Sequence, residues 1–382
     1  MIDEQHAGDD NHARAVARAL GRKIPDADVL EGNIKQLEKL CGENAEPLFV
    51  IGAGAHNMQP LAELRQKSGR KNLKISWGSH QYHTDLSRYA DQFDYIALPG
   101  HTIGQDVRNS LKGHMHKIIK MSGVPHLMTL DHLKDIYNAG SFKIPSAEKG
   151  CTCVIMGGDA LTPDGNLKFY TPKAAADFAR YLVRKGRIQK PLLVTNGPRT
   201  GKHDPDTGVD ANTHRNFDPE TGHAIEYKLD PVTHAFVEAL EQEGLKPEQD
   251  FYLYDFMFTK DGVSSAYKSL LYSVQKTGGQ IYVPGESTSM ISEACDFLSP
   301  KNVVVYNHEA MNTEHYKFVK YMFRSGRFKF LDMQGQIMRA EETVLQQKHL
   351  PDAEHVASEI ARSFEPLHYQ KPKPGILRKN TK

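Results

Sequence analysis

Cysteine is scarce in this sequence: four residues, Cys41, Cys151, Cys153 and Cys295, in a chain of 382. So few and so scattered, they form no disulfide framework, and a reducing compartment is expected. Cys151 and Cys153 lie two apart on one face of a predicted strand, but no second cluster accompanies them, so no zinc site is expected. An excess of charge of either sign is missing too. Lys and Arg total 48 against 47 Asp and Glu, which leaves no global basic field for nucleic acid. No apolar run is long enough to span a bilayer, and the opening residues are acidic and polar, with no signal-peptide core. A cytoplasmic location is the expectation. Basic charge collects only at the end, at Lys371, Lys373, Arg378, Lys379 and Lys382, beside Pro372 and Pro374. This reads as an extended, solvated tail, with peripheral contact to an anionic surface as the alternative.

At this length two domains are the natural division. Strand-like apolar runs alternate with helical patterns along the chain, which predicts α/β architecture with parallel sheets and right-handed crossovers. The first unit runs from a strand at 47–51 into Gly52-Ala-Gly54-Ala-His56 and a helix. That resembles a nucleotide-binding opening, but the third glycine of the dinucleotide fingerprint is missing and no acid ends the next strand, so NAD is not expected. Strands are predicted at 73–77, 93–98 and 124–129. The second of these ends in Pro99-Gly100-His101. A histidine at a strand's carboxyl end is placed to act as a base, although a surface-loop histidine is the plainer reading among nineteen.

A polar stretch at 140–150 reads as a linker, after which the pattern restarts. A strand at 151–156 ends in Gly157-Gly158-Asp159, and one at 191–195 ends in Asn196-Gly-Pro-Arg199-Thr200-Gly-Lys202. Cations at such an end suit a diphosphate; a solvent-facing turn is the alternative. Residues 203–229 form a long polar segment, read as a lid or partner surface. Asp204, Asp206, Gly208 and Asp210 imitate a calcium loop but lack its closing Glu, so calcium is not expected. The strand at 280–283 ends in Pro284-Gly285, then Glu286, then a helix that Ser287 or Thr288 should cap. A helix start at a strand end offers N–H groups to phosphate, and Glu286 and Glu293 can accept hydrogen bonds from sugar hydroxyls. Further strands are expected at 302–306 and 327–331, and a last helix at 353–364.

Several of these pieces carry a resemblance. Met156-Gly-Gly-Asp159, the Leu-Val-Thr strand into Arg199-Thr200, Glu286-Ser-Thr-Ser-Met-Ile-Ser-Glu-Ala294 and the 316–327 segment resemble the elongated-mitochondria, or mitochondrial fission, family and its bacterial relatives classed as glycosyltransferases. Pro99-Gly-His101 and Pro125-His-Leu-Met-Thr129 are similar in the first half. The family's Ser-Arg-Arg-Thr turn is replaced by Asn196-Gly-Pro-Arg199-Thr200, and 203–229 looks like an insertion. The resemblance implies a GT-B fold: two Rossmann-like domains facing a central cleft, residues 1–145 for the acceptor and 146–345 for the nucleotide sugar, with 346–382 as terminal helix and basic tail. It implies a transferase whose substrate is a nucleotide-diphosphate sugar and which needs no cofactor or bound metal. His101 is then the base and Arg199 the partner of the leaving diphosphate. Gly52, Gly54, Gly157, Gly158, Asn196, Thr200, Glu286, Ser287, Ser289, Met290 and Glu293 are the remaining candidates for the nucleotide sugar. Two rivals stay open: a non-catalytic scaffold that recruits a protein partner, and a nucleotide-sugar epimerase.

Overall fold

The structure, a computed structural model, describes residues 7–24, 28–29, 32, 34–43, 48–70, 72–146, 150–162, 164–210, 228–259, 262–340 and 350–362. The basic tail and most of the long polar segment lie outside these described residues. The first half comprises α1 (Ala7–Gly21), α2 (Ile34–Glu43), β1 (Leu48–Ala53), α3 (Ala55–Ser68), β2 (Leu73–Gly78), α4 (Leu86–Tyr89), β3 (Tyr95–Pro99), α5 (Gln105–Ser110), β4 (Ile118–Met121) and α6 (Leu130–Asn138). Its strands form a parallel sheet in the order β1-β2-β3-β4. An order that steps one neighbour at a time puts every right-handed crossover on the same face. That face carries a core of Met58, Leu61, Leu64, Ile75, Trp77 and Leu98. The opposite face has to be covered by something other than a crossover.

The second half is doubly wound. It comprises β5 (Thr152–Ile155), β6 (Ala160–Leu161), β7 (Leu167–Lys168), α7 (Pro172–Arg184), β8 (Leu192–Thr195), α8 (Pro231–Gln242), β9 (Phe251–Tyr254), β10 (Met257–Thr259), β11 (Gly262–Ser264), α9 (Tyr267–Thr277), β12 (Gln280–Pro284), α10 (Thr288–Phe297), β13 (Val303–Tyr306), α11 (Thr313–Arg324), β14 (Lys329–Leu331) and β15 (Ile337–Met338). The sheet order is β15-β14-β13-β12-β5-β8-β9, parallel except for the β14–β15 edge. The chain starts at β5, moves outward through β8 to β9, then returns to the other side of β5 at β12. Helices before and after that return fall on opposite faces: α7 and α8 with Phe236 and Leu240 on one, α9, α10 and α11 with Leu270, Ile291 and Phe318 on the other. Covered on both sides, the strands are continuous apolar runs; Thr152–Ile155, Leu192–Thr195 and Val303–Tyr306 are buried throughout.

The last helix, α12 (Asp352–Arg362), returns to the first sheet and fills the vacant face together with α1. Ala15, Val16, Ala19, Val356, Ala357 and Ile360 pack there against Ala97, Ile119 and Met121. The architecture is therefore GT-B-like: two Rossmann-like parallel-sheet domains, with the chain's end returning to the first. One expected strand is displaced. The fourth strand lies at Ile118–Met121, and residues 124–129 run as a loop. Pro125 has no N–H for a ladder, and the N–H groups of Ser122, Gly123 and Val124 are taken by Asp352 and Ser292 instead of a neighbouring strand.

Candidate functional site

The return from β9 to β12 creates a topological switch point between β5 and β12. In open α/β sheets ligands bind in the crevice beyond the carboxyl ends of the strands at such a point. Three of the predicted turns meet there. The backbone N–H of Gly158, after β5, donates to Glu286 Oε1, after β12, at 2.8 Å. The turn after β8 leans on the same glycines: Thr200 Oγ1 donates to the Gly157 carbonyl at 2.9 Å, and Arg199 Nη1 donates to the Asp159 carbonyl at 3.2 Å. These glycines are required by close approach. A Cβ on Gly158 would lie 2.7 Å from Arg199 Cβ, and one on Gly157 would lie 2.9 Å from His308 Nε2.

Glu286 is placed differently from the sequence expectation of a sugar-binding acid. The residue is only 4% exposed, and both carboxylate oxygens have protein partners. Ala310 N–H donates to His308 Nδ1, so the ring proton is on Nε2, which donates to Glu286 Oε2 at 2.5 Å. Burial pushes this carboxyl's pKa up, but His308, Arg199 and the Gly158 N–H outweigh it and hold it below the usual range. Glu286 therefore clasps two loops of the rim together. Asn196 has a similar role: its amide donates to Asp230, Thr233 and Asp255, and its carbonyl oxygen accepts from Phe256 N–H at 2.6 Å. Among these turn residues Arg199 is the exposed cation.

The open space lies just beyond this clasp, between the two domains. A cavity of about 680 Å³ is walled on the first-domain side by His12, Arg18, His80, residues 124–129 and His132, and on the second by Lys268, Thr288, Ser289 and Glu293. Of the sequence candidates, only Ser289 and Glu293 line it. Gly157, Gly158, Asn196, Arg199, Thr200, Glu286, Ser287 and Met290 are gathered at or behind the rim. The helix that meets the cavity is α10. The sequence predicts a side-chain cap from Ser287 or Thr288, but Ser287 at the cap position makes no such bond. Thr171, Asp230 and Asn312 do cap α7, α8 and α11. The first turn of α10 thus brings N–H groups without a side-chain cap to a cavity carrying Arg18 and Lys268. Glu293 lines the same wall, and burial raises its pKa.

The first-domain candidates lie elsewhere. Gly52 sits beneath α3, where a Cβ would be 2.5 Å from Leu61 Cδ1, and Gly54 takes a left-handed φ of 82° before the helix. His101 is packed edge-on against Phe318 of α11, ring centroids 5.3 Å apart, in a contact between the domains. Burial lowers its pKa to about 4. It is not among the residues lining the cavity.

What sequence reading missed is the seam under the cavity. Asp352 of α12 accepts from Ser122 and Gly123 N–H at 2.6 and 2.7 Å, and Val124 N–H donates to Ser292 Oγ of α10 at 2.9 Å. Arg327 pairs with Asp296 of α10, and His126 Nε2 lies 3.2 Å from Asp296 Oδ2. The motif containing His126 was visible, but it was expected to be a strand. Among the described residues, no group of three or more His, Cys, Asp or Glu could hold a metal ion, and no helix is long and apolar enough to cross a membrane.

The sequence profile of the family described as mitochondrial fission ELM1 matches residues 7–207, a span that ends before the 286–294 stretch. No curated protein sequence matches. Among solved structures, a glycosyltransferase from Rickettsia africae shares 10% identity over 88% of this chain and 78% of its own, with a TM-score of 0.34. MurG of Acinetobacter baumannii shares 10% identity over 83% of this chain and 94% of its own, with a TM-score of 0.32. Likeness of that degree does not bear on the chemistry.

Proposed function

The chain belongs to the mitochondrial fission ELM1 family, and we propose that it is a GT-B-type glycosyltransferase that takes a nucleotide-diphosphate sugar in the cavity between its domains. One observation carries this reading. The switch point of a doubly wound sheet opens, through the helix without a side-chain cap, onto a cavity of about 680 Å³, a size that suits a nucleotide-sized ligand. The diphosphate rests on the first turn of α10 at Thr288 and Ser289, with Lys268 and Arg18 neutralising its charge. Arg199, exposed on the adjacent rim, is available to the leaving group. Glu293 accepts hydrogen bonds from sugar or ribose hydroxyls. The acceptor enters along the first-domain wall at 124–129. The 286–308 clasp supports the donor side by keeping the three loops in register.

Calorimetry and product analysis with UDP-glucose, UDP-N-acetylglucosamine and GDP-mannose test this. Saturable binding and release of nucleoside diphosphate support transfer. Interconversion of the sugar without release points to an epimerase. Binding without turnover points to a scaffold, and absence of binding to every donor removes the reading.

A further inference from the structure

We propose that the acceptor is an alcohol with an aliphatic body, and that this body lies in a second cavity further along the same groove; the assignment rests on the transferase reading above. The second cavity, of about 320 Å³, adjoins the first, and Arg18 and residues 126–129 line both. The two helices that face each other across the first cavity continue into the second. On α1, Asn11 lines the large cavity, Ala15 and Arg22 the small one, and Arg18 both. Positions 11, 15, 18 and 22 recur at the helical period, so they form one stripe on one face of α1. On α10, Ser289 and Glu293 line the large cavity and Asp296 and Phe297 the small one, again a single stripe. From Ser289 to Phe297 that wall runs about 12 Å. The cavities are therefore successive stretches of one groove between α1 and α10. Residues 126–129 run along it, and Pro351 and the start of α12 stand at its far end.

The groove changes character along its length. Beside the first turn of α10 it carries Lys268, Thr288 and Ser289. Further on, its apolar wall is Ala15, Leu127, Met128, Phe297, Pro351 and Ala353. Leu127, Met128, Phe297 and Pro351 are half-buried, so each leaves apolar surface uncovered, and the flexible Met128 lets that wall adapt to what it covers. The acids that line the small cavity are already paired. Glu354 lies 2.5 Å from Arg22 and 3.0 Å from Lys23, and Asp296 is held by Arg327 and lies 3.2 Å from His126 Nε2. Thr129 Oγ1 accepts from the His132 N–H at 3.2 Å. A sugar placed here would give up water at its hydroxyls and gain few partners, whereas an aliphatic chain removes apolar wall from water. The acceptor hydroxyl then lies toward Glu293 and the donor, and its chain toward Phe297. In the step, the hydroxyl oxygen bonds to the anomeric carbon as the bond from that carbon to the diphosphate breaks. The electron pair of the broken bond leaves with the diphosphate, and the hydroxyl proton passes to water.

The test takes the 1-alkanols from ethanol to decanol, with glucose as the polar control, in calorimetry on the full chain and in release of nucleoside diphosphate from UDP-glucose, UDP-N-acetylglucosamine or GDP-mannose. The expected result is a Kd that falls by up to about fourfold for each added methylene and levels off once the small cavity is full. The longer alkanols should also speed nucleoside diphosphate release and be recovered as alkyl glycosides. Ala353 lines only the small cavity, so in Ala353→Leu the affinity should level off at a shorter chain, with donor Kd changed by less than about twofold. Phe297→Leu makes room and should move the levelling-off to a longer chain, which covers poor folding of the first variant. An affinity independent of chain length, a levelling-off unmoved in both variants, glucose bound as tightly as octanol, or alkanol binding that leaves nucleoside diphosphate release unchanged overturns the assignment. If the unaltered protein binds a donor but no alkanol, the acceptor class is wrong and the transferase reading stands. If it binds no donor, the transferase reading fails and the acceptor assignment fails with it.

Discussion

Replacing Glu286 by Gln exchanges one carboxylate oxygen for an NH2 group and leaves the volume almost unchanged. The site, however, demands two acceptors. Gly158 N–H points at Oε1 and the Nε2–H of His308 points at Oε2. Gln supplies one oxygen, so whichever way its amide is turned, one buried donor faces another. His308 cannot relieve this by changing tautomer, because its Nδ1 already accepts from Ala310 N–H. One charge-assisted bond is lost, worth about 1.5–3 kcal/mol, and one buried donor is left unpaired, costing about 1–3 kcal/mol. A net loss of about 3 kcal/mol is expected, which in a domain of about 200 residues lowers the melting midpoint by roughly 6–12 °C. Two probes localise the effect. The sole tryptophan, Trp77, is fully buried in the first domain, so its fluorescence follows that half while far-UV ellipticity follows both. E286Q should shift the ellipticity transition more than the fluorescence transition. Acid should also act differently on the two proteins. The folded-state pKa of Glu286 is depressed, so its stabilisation is present above the unfolded value and is lost as pH falls through the folded one. The variant should lose less stability over that window. An E286Q midpoint within about 0.5 kcal/mol of the unaltered protein, with weakened donor binding alone, would refute the clasp and return Glu286 to the ligand.

Three further outcomes are expected. Ser289→Asp should raise thermal stability slightly, by about 0.5 kcal/mol, because a negative charge suits a helix start, yet weaken nucleoside-diphosphate binding about tenfold or more in calorimetry by occupying the phosphate position. Gly158→Ala should cost about 1–3 kcal/mol in urea denaturation and weaken donor binding, because the new Cβ meets Arg199 Cβ at 2.7 Å and its carbonyl carbon at 2.9 Å. His101→Phe should flatten the pH dependence of stability: the His101 pKa is lowered from 6.5 to about 4, so its contribution, at most about 3 kcal/mol, is present above pH 6.5 and is lost as pH falls toward 4. An unchanged slope in urea titrations across that window would count against the buried-histidine account.

The sequence by itself determined the strand ends. Parallel strands buried on both faces must be apolar runs, and the turns that follow need Gly, Pro or a short polar side chain, so Gly157-Gly158, Asn196 to Thr200 and Pro284 to Glu286 could be read as rim positions from local pattern alone. Two α/β domains with parallel sheets were legible from the alternation of elements, and the GT-B-like arrangement of the two from the resemblance alone. Which rim positions touch one another was not. Gly158 and Glu286 are 128 residues apart, His126 and Asp296 170, and Gly123 and Asp352 229. Such pairs depend on strand order, and strand order depends on how both faces of each sheet come to be covered. The tertiary structure therefore turned Glu286 inward as a clasp, moved residues 124–129 out of a strand into the seam, and placed His101 in a packing contact away from the cavity. The physical reason is the same in each case: local sequence sets the conformation a segment prefers, whereas a buried donor or carboxylate takes the partner that packing brings within reach.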